Sequence, residues 1–180
     1  MGLLNGYTAI ITGAARGLGQ AVAKGFSKEG ARLILCDRLP IPAVGTAALH
    51  KVDLSNRKNC LQFTEDVLGN TQQIHILVNN AAVLPLTPIL SITETEWEQT
   101  LAINLTAPFL LSKAFLPKLR KEGGSIINVS SRAGIEGMKN EVSYCASKFG
   151  IEGFTKALST EAGDNVSVNT ITPGLRIKPQ

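Results

Sequence analysis

Aromatic residues make up only 5% of this 180-residue chain, with one tryptophan and two tyrosines. That scarcity argues against a surface built to stack nucleic-acid bases. Three cysteines, an odd number without metal-ligand spacing, give neither a disulfide framework nor a zinc site and fit reduced thiols. The two histidines, His50 and His75, fall near strand starts without a ligand pattern, so no metal site is expected. Long apolar runs are missing too. Residues 74–90 form the most apolar stretch, yet His75, Asn79, Asn80 and two prolines interrupt it, which excludes a spanning segment there. No repeat or low-complexity tract occurs. Met1 is followed almost at once by a strand-like run, and Gly6 stands where a myristoylation pattern needs Ser or Thr, so a cytoplasmic location is expected. The net charge of +4 and pI near 9.1 come from scattered residues. The densest group, Lys113, Lys118, Arg120 and Lys121, lies toward a helix C-terminus, where cations offset the dipole. Neither nucleic acid nor membrane is expected as a partner.

What is present is a regular alternation. With 44% hydrophobic residues, the chain is long enough for one domain, 1–180, with its own core. Six short apolar runs alternate with amphipathic stretches, the pattern of a parallel α/β sheet. YTAIIT (7–12) reads as a strand, GAARGLG (13–19) as a turn carrying Gly13, Gly17 and Gly19, and the following stretch as a helix with Leu18, Val22 and Phe26 on one side. Strand, glycine turn and helix start follow in the order a phosphate cradle requires, since glycine permits close backbone approach and helix N-terminal N–H groups point at an anion. The spacing is TGxxxGxG rather than GxGxxG, and a glycine turn used only for packing is the alternative. A second strand, ARLILCD (31–37), ends in Asp37, placed to accept hydrogen bonds from adenosine ribose hydroxyls. Its carboxylate would repel a 2′-phosphate, which favours NAD over NADP; Arg16 and Arg38 pull the other way by offering cations to a phosphate.

The chemistry sits further on. Tyr144 and Lys148 are four residues apart, on one face of a helix if the segment is helical. A phenol ionises near pH ~10, and an adjacent ammonium with a positive nicotinamide ring would pull that value down toward use at neutrality. SIINVSS (125–131) is an apolar run ending in hydroxyls; as a strand it delivers Ser131 to the carboxyl edge, where open α/β sheets bind ligands. Cys145, beside Tyr144, has no histidine nearby in sequence and reads as a small buried side chain.

Together these residues resemble the short-chain dehydrogenase/reductase family, over about residues 5–174. TGAARGLG at 12–19 is similar to its cofactor turn, with Gly13, Arg16, Gly17, Leu18 and Gly19. Asp53 and Leu54 resemble the pair that meets the adenine, and NNAA at 79–82, with Asn79, Asn80 and Ala81, its segment after strand four. Asn104, Ser131, Tyr144 and Lys148 match its catalytic set, and Pro173-Gly174 its turn beneath the nicotinamide. The resemblance implies an oxidoreductase moving a hydride between NAD(H) and a secondary alcohol or ketone. Tyr144 would exchange the proton, Lys148 hold the nicotinamide ribose, Ser131 bind the reacting oxygen, and Asn104 position a water. It also implies a doubly wound parallel sheet of six strands in the order 3-2-1-4-5-6, and a homodimer or homotetramer paired through helices carrying Leu105, Phe109, Phe149, Phe154 and Leu158.

Departures from the family pattern set further expectations. Ala82 replaces a glycine, which would cost about 1 kcal/mol if the backbone there needs positive φ. Only fifteen residues separate Asp37 from Asp53, with Pro40 and Pro42 among them, so that crossover should be mostly loop and leave one side of the sheet thinly covered. Residues 83–95 read as a loop at the site's mouth leading to a helix near Thr95. The sequence ends at LRIKPQ, short of the family's substrate-covering segment and seventh strand, and therefore reads as a C-terminally truncated member. Lys178 stands where many members have a threonine, and strand six is expected as an apolar exposed edge. An alternative follows: a nucleotide-binding fragment without turnover.

Overall fold

The structure, a computed structural model, describes residues 2–174; Lys178 lies outside them. Six strands, β1 (Thr8–Thr12), β2 (Arg32–Asp37), β3 (Ala48–Lys51), β4 (Ile76–Asn79), β5 (Ser125–Val129) and β6 (Ser167–Ile171), form one sheet in the order β3-β2-β1-β4-β5-β6. All pairings are parallel. The helices are α1 (Gly17–Lys28), α2 (Arg57–Asn70), α3 (Glu94–Leu101), α4 (Ala107–Glu122) and α5 (Val142–Glu161). This is the doubly wound order expected.

β1 is buried at every residue, the mark of a parallel strand covered on both faces. Alternate side chains serve two cores. Ile10, Ile34, Leu77, Ile126 and Val168 belong to a larger one with Phe63 and Val67 of α2 and Leu111, Phe115 and Leu119 of α4. Ala9, Ile11, Leu33, Leu35 and Val78 meet Ala23 of α1 in a smaller one. Between Asp37 and Ala48 no helix forms, because Pro40 and Pro42 remove backbone donors and restrict the residues before them. Val44 plugs into the smaller core instead, with Ile41 and Ala47 half-buried beside it. That face is thinly covered over β5 and β6, where Ile127 is half-buried and Ser167, Asn169 and Ile171 are exposed.

Two expectations change. Among the described residues Asn140 is the one non-glycine at positive φ, so Ala82 carries no such strain. The β6 edge is mainly polar rather than apolar: Ser167 and Asn169 point outward and Ile171, 41% exposed, is its one large apolar exposure.

The segment around Asn104 is one helical run interrupted by a π-turn. Thr93 caps α3 by accepting the Glu96 N–H. The turn Ala102–Thr106 widens the helix around Asn104 before α4 continues, a local irregularity typical of functional positions. The run Glu94–Glu122 is long and apolar enough to cross a membrane, but half of its most apolar window is buried inside the protein. Its Leu111, Phe115 and Leu119 lie wholly inside the larger core, as in a core helix. Gly123, at φ 69°, ends it in a left-handed cap.

Candidate active site

The glycine turn closes against strand β4's exit. Gly13, at φ +66°, has the Ala81 backbone where a Cβ would sit, and a Cβ on Gly19 would fall 2.2 Å from the Gly13 carbonyl oxygen. Glycine at these two positions is thus a steric requirement. Asn80 clamps the turn, its Nδ2 donating to the carbonyls of Thr12 at 2.9 Å and Gly13 at 3.1 Å. Thr12 returns the contact: its hydroxyl accepts the N–H groups of Asn80 and Ala81 at 2.9 and 3.0 Å. Thr12 carried no role in the sequence reading; its place directly before Gly13, at a strand end, was the available signal.

Asp37 is already engaged by the backbone. One carboxylate oxygen accepts the Ala15 N–H at 3.0 Å and the other the Leu39 N–H at 2.9 Å. It therefore fixes the glycine turn as well as facing the cleft. Asp53 organises its own turn, accepting from the N–H and hydroxyl of Ser55. A cavity of about 750 Å³ opens between these groups, lined among others by Gly13, Arg16, Gly17, Asp37, Asp53, Leu54, Asn80 and Ala81 and closed on its far side by Glu96 and Ile103.

Not every expected residue reaches it. Asn79 turns its side chain away from the cleft, donating to Asn128 Oδ1 at 2.8 Å and Ser112 Oγ at 3.4 Å inside the larger core's helix layer. Side chains alternate along a strand, so neighbours Asn79 and Asn80 face differently. Leu18 packs half-buried against the smaller core, and Gly19 serves close packing. Pro173 and Gly174 lie exposed after β6.

The catalytic candidates cluster beyond the cavity at the carboxyl end of β5. Ser131 caps a short 3₁₀ turn, Arg132–Gly134, accepting the Ala133 N–H at 3.2 Å, and it faces the Tyr144 phenol. Lys148 is only 2% exposed. Its Nζ donates to the Val129 carbonyl at 2.7 Å and lies 5.5 Å from the centroid of the Tyr144 ring, a cation–π distance. The electrostatics differ from the expected lowered phenol. Burial pushes the Tyr144 phenol above its usual value, the Ser131 hydroxyl acting the other way and Glu141 adding to the rise. Burial also lowers Lys148, to about 8, against the pull of Glu152. Both shifts have one cause: desolvation disfavours either ion.

Asn104 is buried and bonded to protein partners. Its Oδ1 accepts the Val83 N–H at 2.9 Å, while Nδ2 donates to the Val83 carbonyl at 2.9 Å and to Ser147 Oγ at 3.0 Å. Ser147 Oγ in turn donates to the Tyr144 carbonyl at 2.7 Å. The π-turn thereby ties the segment after Ala82 to the helix bearing Tyr144 and Lys148. A second chain the sequence reading missed, Asn79 to Asn128 to Thr155, joins β4, β5 and α5 beneath the site. Cys145 accepts the Met138 N–H at 3.4 Å, a structural use. Among the described residues no group of three His, Cys, Asp or Glu side chains could hold a metal ion.

A glycine turn below a parallel sheet, an acidic end to β2 and a Ser–Tyr–Lys cluster on β5 and α5 can now be set beside known proteins. Residues 7–176 match the short chain dehydrogenase family. The chain belongs to that family. Family members similar to it include D-threitol dehydrogenase of Mycolicibacterium smegmatis, 36% identical over 94% of this chain and 70% of the relative. Galactitol 2-dehydrogenase of Agrobacterium fabrum is 37% identical over 96% and 71%. Among solved structures, a metagenomic short-chain oxidoreductase in complex with NADP superposes with a TM-score of 0.90 at 35% identity, covering 96% of this chain and 83% of that one. A 4-hydroxyisoleucine dehydrogenase complexed with NADH and succinate gives 0.87 at 28%, covering 93% and 79%. Membership makes the chain a short-chain dehydrogenase/reductase by descent, and a nicotinamide cofactor is supported by these neighbours.

Proposed function

We propose that this short-chain dehydrogenase/reductase interconverts a secondary alcohol and a ketone using NAD(H), with Tyr144 as acid/base. The observation that carries the reading is the buried Lys148 ammonium beneath the Tyr144 ring, with Ser131 opposite. The cleft suits a dinucleotide: Gly17, which lines it at the start of α1, has open space where a Cβ would sit and so offers bare backbone. Gly13, Arg16, Gly17 and Leu18 would hold the pyrophosphate through the start of α1. Asp37 would take the adenosine ribose and Asp53 with Leu54 the adenine. Asn80 and Ala81 would follow, with Asn79 supporting from the core; Pro173 and Gly174 would lie beneath the nicotinamide. When bound, the cofactor supplies or accepts the hydride. Asp37 between Arg16 and Arg38 favours NAD, since a second negative group beside its carboxylate is repelled.

In this reading the raised phenol value has a use. Tyr144 stays protonated at neutrality and is ready to give its proton to a carbonyl oxygen that Ser131 orients. Lys148 holds the nicotinamide ribose and supplies positive charge against the phenolate left behind. Asn104, whose side chain is bonded to Val83 and Ser147, acts by positioning those two segments. Exposed Phe109 and Phe149, 42% and 48% accessible, would pair with a second copy in a symmetric dimer. A cytoplasmic setting accords with three free thiols.

A second reading, a nucleotide holder without turnover, is favoured by one observation: Ser131, Tyr144 and Lys148 do not line the cavity. Absorbance of NADH mixed with a panel of ketones and polyol oxidation products, the latter chosen because two relatives are named for polyols, decides between them. Oxidation of NADH supports the enzyme. Calorimetric NADH binding with no turnover across the panel supports the holder and ends the enzymatic reading.

A further inference from the structure

Lys148 is almost wholly buried, yet the partner its ammonium touches is a neutral carbonyl, that of Val129. A buried ammonium needs a counter-charge to remain an ion. Among the described residues the salt bridges are His75 with Glu122 and Arg132 with Glu136, so no carboxylate lies within 4 Å of Lys148. One helical turn further along α5 stands Glu152, on the same face. One of its carboxylate oxygens accepts the Thr170 hydroxyl at 3.0 Å; the other is shut off from solvent with no hydrogen-bond partner. Thr170 pairs in register with Asn128, and Ile171 with Val129. The strand residue that braces Glu152 and the carbonyl that receives Lys148 are therefore on neighbouring strands, one step apart.

We propose that Glu152 is a positioning residue acting through Lys148: its carboxylate, braced from β6 by Thr170, supplies the counter-charge that allows the ammonium to be buried beneath Tyr144. The charged groups around Lys148 leave this role to Glu152. On α5, Glu141 and Cys145 flank Tyr144 and act on the phenol. On the 3₁₀ turn, Arg132 is exposed and paired with Glu136 at 2.6 Å. On α3, Glu94 and Glu98 are exposed and Glu96 receives the Thr87 hydroxyl. β5, β6 and the π-turn offer Lys148 only neutral groups, Val129, Ser131, Thr170 and Asn104. The direction of Glu152's influence on Lys148, toward keeping the proton, agrees with this geometry. β5 thus sets where the ammonium sits, and α5 with β6 sets how firmly it stays charged.

This inference rests on the acid/base reading for its meaning in catalysis, but its test does not need turnover. The side-chain ¹³Cε resonance of Lys148, identified by its loss in Lys148→Arg, is titrated in the full chain and in Glu152→Gln, Glu152→Asp and Thr170→Val, each checked for folding by circular dichroism. Glu152→Gln should lower the titration midpoint by about 0.5–1 pH unit, the scale of a nearby-charge effect. Glu152→Asp, which draws the charge back by one methylene, should lower it less. Thr170→Val, which keeps the charge but removes its brace, should lower it by less than Glu152→Gln does. If turnover is present, the high-pH limb of its pH profile should move with the midpoint. An unmoved midpoint in folded Glu152→Gln, or in Glu152→Asp should Gln not fold, overturns the proposal. So does a Thr170→Val shift as large as that of Glu152→Gln. A midpoint that moves in a protein without turnover on any ketone would instead sink the acid/base reading and leave the Glu152–Lys148 coupling standing.

Discussion

The two halves of the cleft are built from different materials. On one side, at the glycine turn, the contacts that shape the site are backbone groups: Gly13 and Gly19 approach without side chains, and Asn80, Thr12 and Asp37 bind main-chain N–H and C=O groups. On the other side, around Tyr144, the site is made of side chains whose proton affinity is shifted by burial. The first half is a matter of shape and the second of electrostatics. They are joined by Asn104, which holds Val83 at the cavity and Ser147 on α5.

The contrast can be broken most sharply at the phenol. Tyr144→Phe should reduce turnover by about 10²–10⁴-fold, the usual worth of a positioned acid/base, while NADH affinity by fluorescence titration stays near the parent's; equal losses in both would mean that the halves are not separable. Next in size comes the converse. Gly19→Ala should abolish NADH binding, because the new Cβ would meet the Gly13 carbonyl, and lower stability by about 1–3 kcal/mol in urea unfolding. Unaltered binding would show the turn to be a pliant loop.

The scaffold beneath both halves gives a smaller effect. Asn128→Ala leaves the Asn79 amide and the Thr155 hydroxyl without a buried partner, and should destabilise by about 1–3 kcal/mol in denaturant titration. NADH affinity should change little, since the network lies away from the cavity.

The smallest effect is in pH dependence. Lys148 titrates near 8 in the fold and near ~10.4 unfolded. Between those values the unfolded chain binds more protons, so stability rises with pH there and levels off above the upper one. Below about 8, keeping the buried ammonium charged opposes folding. Lys148→Met should therefore raise the melting temperature most at neutral pH, and its advantage over the parent should shrink from pH 8 to 10. An advantage independent of pH would mean that packing rather than charge separates the two proteins.

The glycine turn and the Tyr144–Lys148 pair were legible before any coordinates, and the strand order was implied by the family resemblance. The first two are written in local spacing: glycines after a strand, and a four-residue helical repeat. The proline-broken crossover after Asp37 was readable for the same reason, since Pro40 and Pro42 act on their own backbone. The orientation of Asn79 was not readable, although strand alternation would have separated it from Asn80 once the strand's end was known. Nor were Thr12 and Asn128 legible as site supports, because their partners lie in other strands.

The amino-acid order by itself determined which elements form and which reactive side chains are available, because propensity, periodicity and steric demand act over a few residues. Only the tertiary structure decided how tightly those side chains hold their protons. A phenol is raised and an ammonium lowered by how much water the assembled sheet and helices remove around them, and Thr170 reaches the Glu152 carboxylate only when β6 lies down beside β5.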